Sequence, residues 1–293
     1  MRLLYVTPLD FSTDMYSSAW ISRGKALSDR GWEIAFVAPA SIQSEKAVEE
    51  FGFKLFGVKR LGFPGLRGLS WEYSVSHALH QIVEIFNPDV IISDWNGANG
   101  TSLVANRMQL PWVFDDHSPP ANKGLLGHLQ WSHYRRSWIR AAPKSNGVVV
   151  LTPSLEELVR TKYGFSSEIH TCQSGVDTSL FYVGKKETSP IKLVYHGSLT
   201  KERGVLNLIE VVRNLTDYGL DVTLRVFGSG PCLENFISAG RGGLPIEAHG
   251  PVDFNKVPLL LSILRVAEPR KAPSSKGTSP IDSLLISLAI LCS

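Results

Sequence analysis

The sequence predicts an α/β protein with mainly parallel sheets, organised as two domains. Short β-branched or aromatic runs alternate with segments of helical periodicity, a pattern typical of parallel sheets that helices cover on both faces. The runs "VIIS" at 90–93 and "GVVVLT" at 147–152 are continuously apolar, as strands buried on both faces are. A stretch rich in Ser, Gly, Lys and Thr at 174–190 precedes a fresh strand, so we predict domains 1–175 and 176–293.

The expected secondary structure follows this alternation along the chain. Strands are predicted at Leu3–Thr7, Glu33–Ala38, Lys54–Val58, Val90–Ser93, Trp112–Phe114 and Val148–Leu151 in the first domain, and at Ile191–Tyr195, Thr223–Phe227 and Ile246–Ala248 in the second. Helices are predicted near 16–30, 73–86, 98–108, 124–142, 154–163, 203–218 and 255–264. Most of these helices join two consecutive strands, as parallel pairing requires.

Composition and charge exclude several classes of protein. Hydrophobic residues make up 43% of the chain and charged residues 19%, so sizeable cores are expected and wholesale disorder is not. The net charge of +3 is too small for a protein that coats nucleic acid, and we expect no nucleic-acid partner. A mildly basic chain remains compatible with anionic substrates or an anionic membrane surface.

The cysteines and the apolar runs bear on metal sites and on location. Cys172, Cys232 and Cys292 lie far apart and form no C-x-x-C pair or Cys/His cluster, which predicts neither a zinc site nor a disulfide framework. The opening apolar run stops at Pro8 and is predicted to be a strand, not a signal peptide. No apolar run reaches the ~18 residues of a membrane span. We therefore expect a cytoplasmic protein.

The stretch "IKLVYHGSLTKERGVLNLIEVV" at 191–212 predicts a strand, a basic loop and a helix. Its residues Val205, Leu208, Ile209 and Val212 have the spacing of one helical face. The loop before them carries Lys201 and Arg203, and a helix N-terminus adds unpaired N–H groups and a positive dipole end. The loop is interpreted as an anion site, with solvated loop cations as the alternative.

Two familiar phosphate-binding loops do not fit the spacing in this region. Six residues separate Gly197 from Gly204 and a valine follows, so the Walker pattern is not met, and no G-x-G-x-x-G occurs at this turn. A second glycine turn, "FGSGP" at 227–231, also follows a strand. Its Gly228 and Gly230 would let backbone approach a phosphate or sugar, or would simply form a tight turn.

Taken in order, these motifs resemble glycosyltransferase family 4. The donor half of that family is matched by "SGVDTSLF" at 174–181, "YHGSLTKERGVLNLI" at 195–209, "VFGSGP" at 226–231 and "HGPVDFNKVPLLLS" at 249–262. The acceptor half is matched by the opening strand–helix–strand, by "LPWVFDDHS" at 110–118 and by "VVVLTPSLEELVRTKYG" at 148–164. Each motif is weak alone, but their order and spacing over about residues 1–262 are specific.

The resemblance implies the GT-B fold, in which two Rossmann-like domains face each other across a cleft. The first domain would bind a glycan or lipid-linked acceptor, and the second a nucleotide-diphosphate sugar as co-substrate. Such enzymes transfer the sugar with retention of its anomeric configuration. No metal and no other cofactor is expected, so side-chain cations and helix N-termini would stabilise the leaving diphosphate.

The resemblance also implies donor-site residues in the second domain. Gly197 would open the phosphate loop, and Arg203 stands where the family usually has a lysine that pairs with the diphosphate. Ser198 replaces a common arginine, and Lys201 would partly substitute for it. Gly228 and Gly230 are assigned to the donor site as well. The residues that would meet the nucleotide base through their backbone are Gly250 and Val252.

In the first domain, the resemblance assigns the catalytic position to His117, which would hydrogen-bond the reacting sugar. A loop histidine bonded to backbone is the alternative. Asp116, directly before it, is assigned to the acceptor side. The glycine pair that the family often has after the first strand is absent, because "DFSTDMYSS" occupies 10–18.

A basic aromatic segment, "GHLQWSHYRRSWIRAA" at 127–142, contributes two more acceptor-side candidates, Trp131 and Arg135. On a helix both share a face with Tyr134 and Trp138. One interpretation is peripheral contact with an anionic membrane, on its inner face, or with a lipid-linked acceptor. The alternative is that the aromatic residues pack into the core while the arginines are solvated.

The last residues depart from the family pattern. Aligned on Ser279-Pro280, the family's two donor-binding glutamates fall at Gly277 and Leu285, and the chain ends soon afterwards. We therefore expect an incomplete second domain, from truncation or a shifted reading frame. The leading hypothesis is a glycosyltransferase of cell-surface polysaccharide or glycolipid synthesis. The alternatives are an inactive fragment or acceptor-binding module, and a sugar-nucleotide epimerase.

Overall fold

The structure is a computed structural model that describes residues 1–11, 17–60, 67–117, 119–120, 124–173, 175, 179, 181, 191–253 and 256–262. The chain divides into two compact units, Met1–Val176 and Asp177–Ser293. This division differs by one residue from the predicted domain boundary. The segment 263–293, on which the prediction of an incomplete domain rests, lies outside the described residues, as does most of the motif at 174–181.

The first unit is an open α/β sheet. Its elements are β1 (Arg2–Val6), α1 (Ser17–Ser28), β2 (Glu33–Pro39), α2 (Ile42–Glu49), β3 (Lys54–Val58), α3 (Arg67–Phe86), β4 (Val90–Asp94), α4 (Ala98–Met108), β5 (Trp112–Asp116), α5 (Gly124–Arg140), a 3-10 turn (Ala142–Lys144), β6 (Gly147–Val150), α6 (Pro153–Tyr163) and β7 (His170–Thr171). The seven strands are parallel, in the order β3-β2-β1-β4-β5-β6-β7. The predicted α/β architecture is confirmed.

This sheet has a core on each face, because successive side chains of a strand point in opposite directions. In β1, Leu4 and Val6 belong to one core and Leu3 and Tyr5 to the other. The largest fully buried side chains of this unit include Trp71, Trp112, Trp138, Tyr134 and Phe36. The order of the strands reverses direction between β1 and β4.

The second unit has a smaller parallel sheet within the described residues. Its elements are β8 (Ile191–His196), a 3-10 turn (Lys201–Arg203), α7 (Asn207–Asp217), β9 (Val222–Phe227), α8 (Leu233–Arg241), β10 (Ile246–Gly250) and α9 (Val257–Ser262). The strand order is β10-β9-β8. Leu208, Val212 and Phe236 form part of one core beneath the sheet.

The basic loop folds differently from the prediction of one helix over 203–218. The 3-10 turn ends at Gly204, which has a left-handed φ of +67°, and α7 begins only at Asn207. The predicted apolar face is present, since Val205 and Val212 are buried with Leu208. The helices α2 and α8 and the short strand β7 were not predicted.

Candidate functional site

Parallel strands bring their carboxyl ends to one edge of a sheet, where ligands of open α/β folds bind. In the first unit, β4 and β5 are neighbours, with Asp94 paired in register with Asp115. The chain continues from Asp115 to Asp116 and His117. This edge therefore collects three carboxylates and one imidazole on two adjacent strands.

His117 is fixed on three sides. Its Nε2 atom lies 3.0 Å from Asp115 Oδ2 and 3.0 Å from Arg23 Nη1, and Arg23 Nη1 also donates to Asp115 Oδ2 at 3.2 Å. The ring of Trp20 packs against the imidazole with centroids 4.7 Å apart. The His117 side chain remains 20% exposed. It is thus held in place by other side chains and still reaches solvent.

The two contacts of His117 Nε2 exclude each other as hydrogen bonds. A protonated Nε2 donates to Asp115, whereas an unprotonated Nε2 accepts from Arg23. In the neutral ring, the choice of partner also decides whether Nδ1 carries the proton. Arg23 therefore influences which ring nitrogen of this imidazole carries the proton. Sequence reasoning missed Arg23, because it lies on α1, far from His117 in the chain.

Asp94 is a second residue that sequence reasoning missed. Its Oδ1 accepts from the backbone N and from Nδ2 of Asn96, at 2.8 and 2.7 Å. Burial raises the pKa of Asp94 to about 6, although those hydrogen bonds and His117 oppose the change. The signal was present in the sequence, since Asp94 ends an apolar strand as Asp115 does.

The acceptor-side assignment of Asp116 needs correction. Its side chain is fully buried, and it accepts from Tyr134 Oη at 2.6 Å and from Trp138 Nε1 at 2.9 Å. Burial raises the pKa of this carboxyl to about 7. A group without exposed surface cannot contact an acceptor, so Asp116 ties β5 to α5 instead.

The same contacts bear on the aromatic part of segment 127–142. Tyr134 and Trp138 are core residues, as the alternative interpretation held. Trp131 is partly buried, with Lys162 Nζ 4.5 Å from its ring centroid. Arg135 is exposed. Of the four residues on the proposed aromatic and basic face, only Arg135 is exposed.

The loop after β1 is anchored without the family's glycine pair. Ser44 Oγ donates to Asp10 Oδ1 at 2.7 Å, and Ser41, the N-cap of α2, caps Ser44 N. Arg60 Nη1 donates to the carbonyl oxygen of Pro8 at 3.0 Å. Side chains from α2 and from the end of β3 therefore hold the start of this loop at the carboxyl edge, while residues 12–16 lie outside the described part of the chain.

In the second unit, three strand ends are joined by backbone hydrogen bonds. Gly197 N donates to Phe227 O at 3.0 Å, Gly228 N donates to Gly250 O at 2.7 Å, and Leu199 N donates to Ser229 O at 2.8 Å. The loops after β8, β9 and β10 thus form one connected layer. The predicted donor residues Gly197, Gly228 and Gly250 are brought together here.

Two of these glycines are required by the neighbouring loop. A Cβ atom on Gly228 would overlap the carbonyl oxygen of Gly197, and one on Gly230 would overlap that of Leu199. Both glycines also have positive φ angles, which disfavour a side chain. The sequence indicated that another group comes close to the backbone at these glycines. In the structure, that group is the backbone of the neighbouring loop. Whether a ligand uses the same layer stays a prediction.

The predicted cations lie beside this layer. Lys201 and Arg203 are exposed on the 3-10 turn, and Ser198 is exposed with its carbonyl oxygen accepting from Tyr195 Oη at 2.9 Å. The backbone N–H groups of the first residues of α7 already bond to carbonyl oxygens of 204–206. These N–H groups are therefore less available to an anion than the prediction required, and an anion bound here would depend more on the side-chain cations. Val252, which follows β10, is half-buried.

The described ranges contain neither a metal-ligand cluster nor a helix suited to span a membrane. No group of three or more His, Cys, Asp or Glu side chains there is arranged to hold a metal ion. Metal independence stays a prediction. Nor does any helix in these ranges combine the length and apolar content needed to cross a membrane.

Comparison with known proteins places these features in a family. The model of Glycosyltransferase Family 4 matches residues 22–180. Glycogen synthase of Mycobacterium tuberculosis (strain ATCC 25618 / H37Rv) is 24% identical over 227 residues, which are 70% of this chain and 53% of the relative. The chain therefore spans about half the length of the curated relatives it matches.

Solved structures agree on the fold. Sucrose-phosphate synthase from Thermosynechococcus elongatus superposes with a TM-score of 0.70 at 11% identity, covering 90% of this chain and 73% of the other. Anabaena HepE, solved with UDP and glucose, gives 0.63 at 13% identity, covering 90% and 72%. These likenesses establish the GT-B fold alone. The family match covers more than half of the sequence, and the protein belongs to glycosyltransferase family 4.

Proposed function

We propose that this protein transfers a sugar from a nucleotide-diphosphate sugar to an acceptor hydroxyl, with retention of configuration, in the synthesis of a cell-surface polysaccharide or glycolipid. The second unit would bind the donor, and the first unit a glycan or lipid-linked acceptor. Anabaena HepE, which shares the fold, was solved with UDP and glucose, and this supports a nucleotide-sugar donor.

The observation that carries the proposal is the layer of joined strand ends beside two exposed cations. The layer lies at the carboxyl edge of a parallel sheet, where nucleotide ligands bind in open α/β folds. Transfer releases a nucleoside diphosphate, whose developing charge must be stabilised. Lys201 and Arg203 supply positive charge, and a guanidinium can bind phosphate oxygens bidentately.

In the first unit, His117 keeps its proposed role of hydrogen-bonding a hydroxyl of the donor sugar. Asp115, Arg23 and Trp20 hold its ring, so little conformational entropy is lost when a sugar binds. The acceptor hydroxyl would attack the anomeric carbon, and the bond to the diphosphate would break. The proton of that hydroxyl would leave with the diphosphate or to solvent.

Calorimetry on the full chain tests the donor assignment. UDP-glucose, UDP-N-acetylglucosamine, ADP-glucose and GDP-mannose are titrated separately, each with and without EDTA. We expect binding of at least one, unchanged by EDTA. Failure to bind any of them, when circular dichroism shows a folded protein, would contradict the proposal. It would favour the alternative of an acceptor-binding module.

A second measurement separates transfer from epimerisation, which occurs on the same fold. The bound nucleotide sugar is incubated with the protein, without acceptor, and followed by NMR. A transferase leaves the configuration at every ring carbon of the sugar unchanged. Conversion to an epimer would contradict the proposal.

A further inference from the structure

We propose that the outer face of α5 binds the surface of an anionic phospholipid bilayer. The outer face of α5 is named here for six of its exposed residues, Leu125, Leu126, Leu129, Arg135, Ile139 and Arg140; His128, Ser132 and Arg136 are exposed between them. It shares Arg135 with the aromatic face discussed above, but its apolar residues are leucines and an isoleucine that the core does not use.

The exposure of these leucines is unusual for a soluble surface. Leu125 is 78% exposed, Leu126 46% and Leu129 42%, all within the first turns of one helix. On the opposite side of the helix, Tyr134 and Trp138 are buried and bonded to Asp116. The helix is therefore fixed by its inner face, and its leucines form a contiguous apolar patch that points outward.

The charge of α5 selects an anionic partner. Between Gly124 and Arg140 the sequence contains no aspartate or glutamate, while it contains three arginines. Arg135 and Arg140 are exposed, and Arg136 reaches Glu72 of α3 at 3.6 Å. An acidic protein surface would pair with the arginines, but it would leave the leucines without an apolar partner.

A bilayer surface has an apolar acyl-chain region beneath a layer of phosphates. The apolar and basic side chains of this helix face, which carries no acidic residue, suit these two regions. Leucine side chains enter the boundary of the acyl chains, and arginine side chains reach the phosphates above it. Each basic residue near an anionic surface strengthens binding about fivefold. The geometry therefore favours anionic lipid over a neutral apolar partner.

The outer face of α5 belongs to the element that follows the candidate site in the chain. Helix α5 begins at Gly124, seven residues after His117 in the sequence, so lipid contact would bring the candidate acceptor site close to the headgroups. This fits a lipid-linked acceptor, a step that rests on the proposed function. Lipid binding itself does not depend on donor chemistry.

Vesicle co-sedimentation of the full chain tests the proposal. We expect the protein to pellet with vesicles of equimolar phosphatidylcholine and phosphatidylglycerol, but not with phosphatidylcholine alone, and to be released by high salt. Leu125→Gln with Leu129→Gln should weaken binding at least about tenfold, through lost apolar burial. Arg135→Ala with Arg140→Ala should weaken it about thirtyfold.

Matched controls lie elsewhere on the surface. Ile85 of α3 is 65% exposed, and Arg107 of α4 and Arg213 of α7 are exposed, so Ile85→Gln and Arg107→Ala with Arg213→Ala should leave binding unchanged. Wild-type protein that ignores anionic vesicles, or α5 variants that bind as wild type does, would overturn the proposal.

Self-association is the competing use of this face. A concentration-dependent dimer in sedimentation velocity, abolished by the leucine variant while vesicle binding is absent, would overturn the proposal in favour of a second copy. Binding of nucleotide sugars should be the same in all α5 variants. Lipid binding and donor binding are thus measured separately. A failure of the membrane proposal can therefore be distinguished from a failure of the proposed function.

Discussion

Arg23 Nη1 lies 3.0 Å from Nε2 of His117, although the two residues are 94 positions apart in the sequence. Both contact the same oxygen of Asp115. Helix α1 therefore reaches across the carboxyl edge to orient the imidazole at the end of β5. This contact makes Arg23 a positioning residue for the candidate catalytic histidine.

Replacing Arg23 should change the tautomer of His117. In Arg23→Met, Nε2 loses one competing partner and donates to Asp115, so the Nε2–H form should gain population. The imidazole nitrogen shifts in ¹⁵N-edited NMR report this directly. Arg107→Met, on the exposed surface of α4, is the control. Identical His117 shifts in Arg23→Met and wild type would show that Arg23 does not orient the ring.

His117→Ala should lower the transfer rate by roughly 10²-fold, because a hydrogen bond to the reacting sugar is lost. Binding of the nucleoside diphosphate alone should be unaffected. The rate of diphosphate release from the nucleotide sugar that binds in calorimetry provides the measurement. His80→Ala, on the surface of α3, is a matched histidine control. Equal rates for the two variants would refute the role of His117.

The Asp116 carboxyl should make the first unit less stable as pH rises. Its pKa is raised from 3.8 to about 7 in the folded protein, so the folded state holds a proton that the unfolded state has lost. Stability is therefore greatest below pH ~4 for this group and falls as pH rises to ~7, by at most about 4 kcal/mol. Asp94, with a pKa of about 6, acts in the same direction.

Asp116→Asn should remove most of this fall, because the amide oxygen still accepts from Tyr134 and Trp138 without ionising. Urea unfolding at pH 5 and pH 8, followed by tryptophan fluorescence, measures the difference. Asp29→Asn, at an exposed position, should keep the wild-type pH dependence. A wild-type protein whose first unit gains stability between these pH values would contradict this account of Asp116.

Gly228→Ala should destabilise the second unit by about 3 kcal/mol, since the new methyl group would overlap the Gly197 carbonyl oxygen and strain a positive φ. Gly243→Ala is the control, because Gly243 has a φ of +95° but no atom near its missing Cβ, and should cost only about 1 kcal/mol. Thermal unfolding of both variants decides. Equal losses of stability in Gly228→Ala and Gly243→Ala would mean that the loops containing Gly197 and Gly228 are not in tight contact.

Much of the architecture could be predicted because its signals are local. Strand β3 has the predicted bounds, and the apolar face of α7 was visible in its periodicity. Helix α2 is short and weakly amphipathic, and α8 lies between Pro231 and the glycines at 242–243, so both resembled loops. The site was harder to predict, because its contacts join distant segments.

The strand-end glycines show the same limit. The sequence indicated that Gly228 and Gly230 allow close approach, but only the structure identifies the neighbouring loop as what approaches them. Likewise, Asp116 and His117 are adjacent in the sequence, yet one points into the core and the other towards solvent. Strand alternation separates them, and neither composition nor motif order reveals which side is which.

The proposed function requires Lys201 and Arg203 to bind the diphosphate of the donor. Calorimetry with UDP and with uridine measures this directly. If the protein prefers another nucleotide, the corresponding nucleoside diphosphate and nucleoside are used instead. Arg203→Ala should weaken binding of the diphosphate about tenfold or more and leave binding of the nucleoside unchanged, whereas Arg213→Ala should change neither. Equal affinity of wild type and Arg203→Ala for the diphosphate would contradict the account.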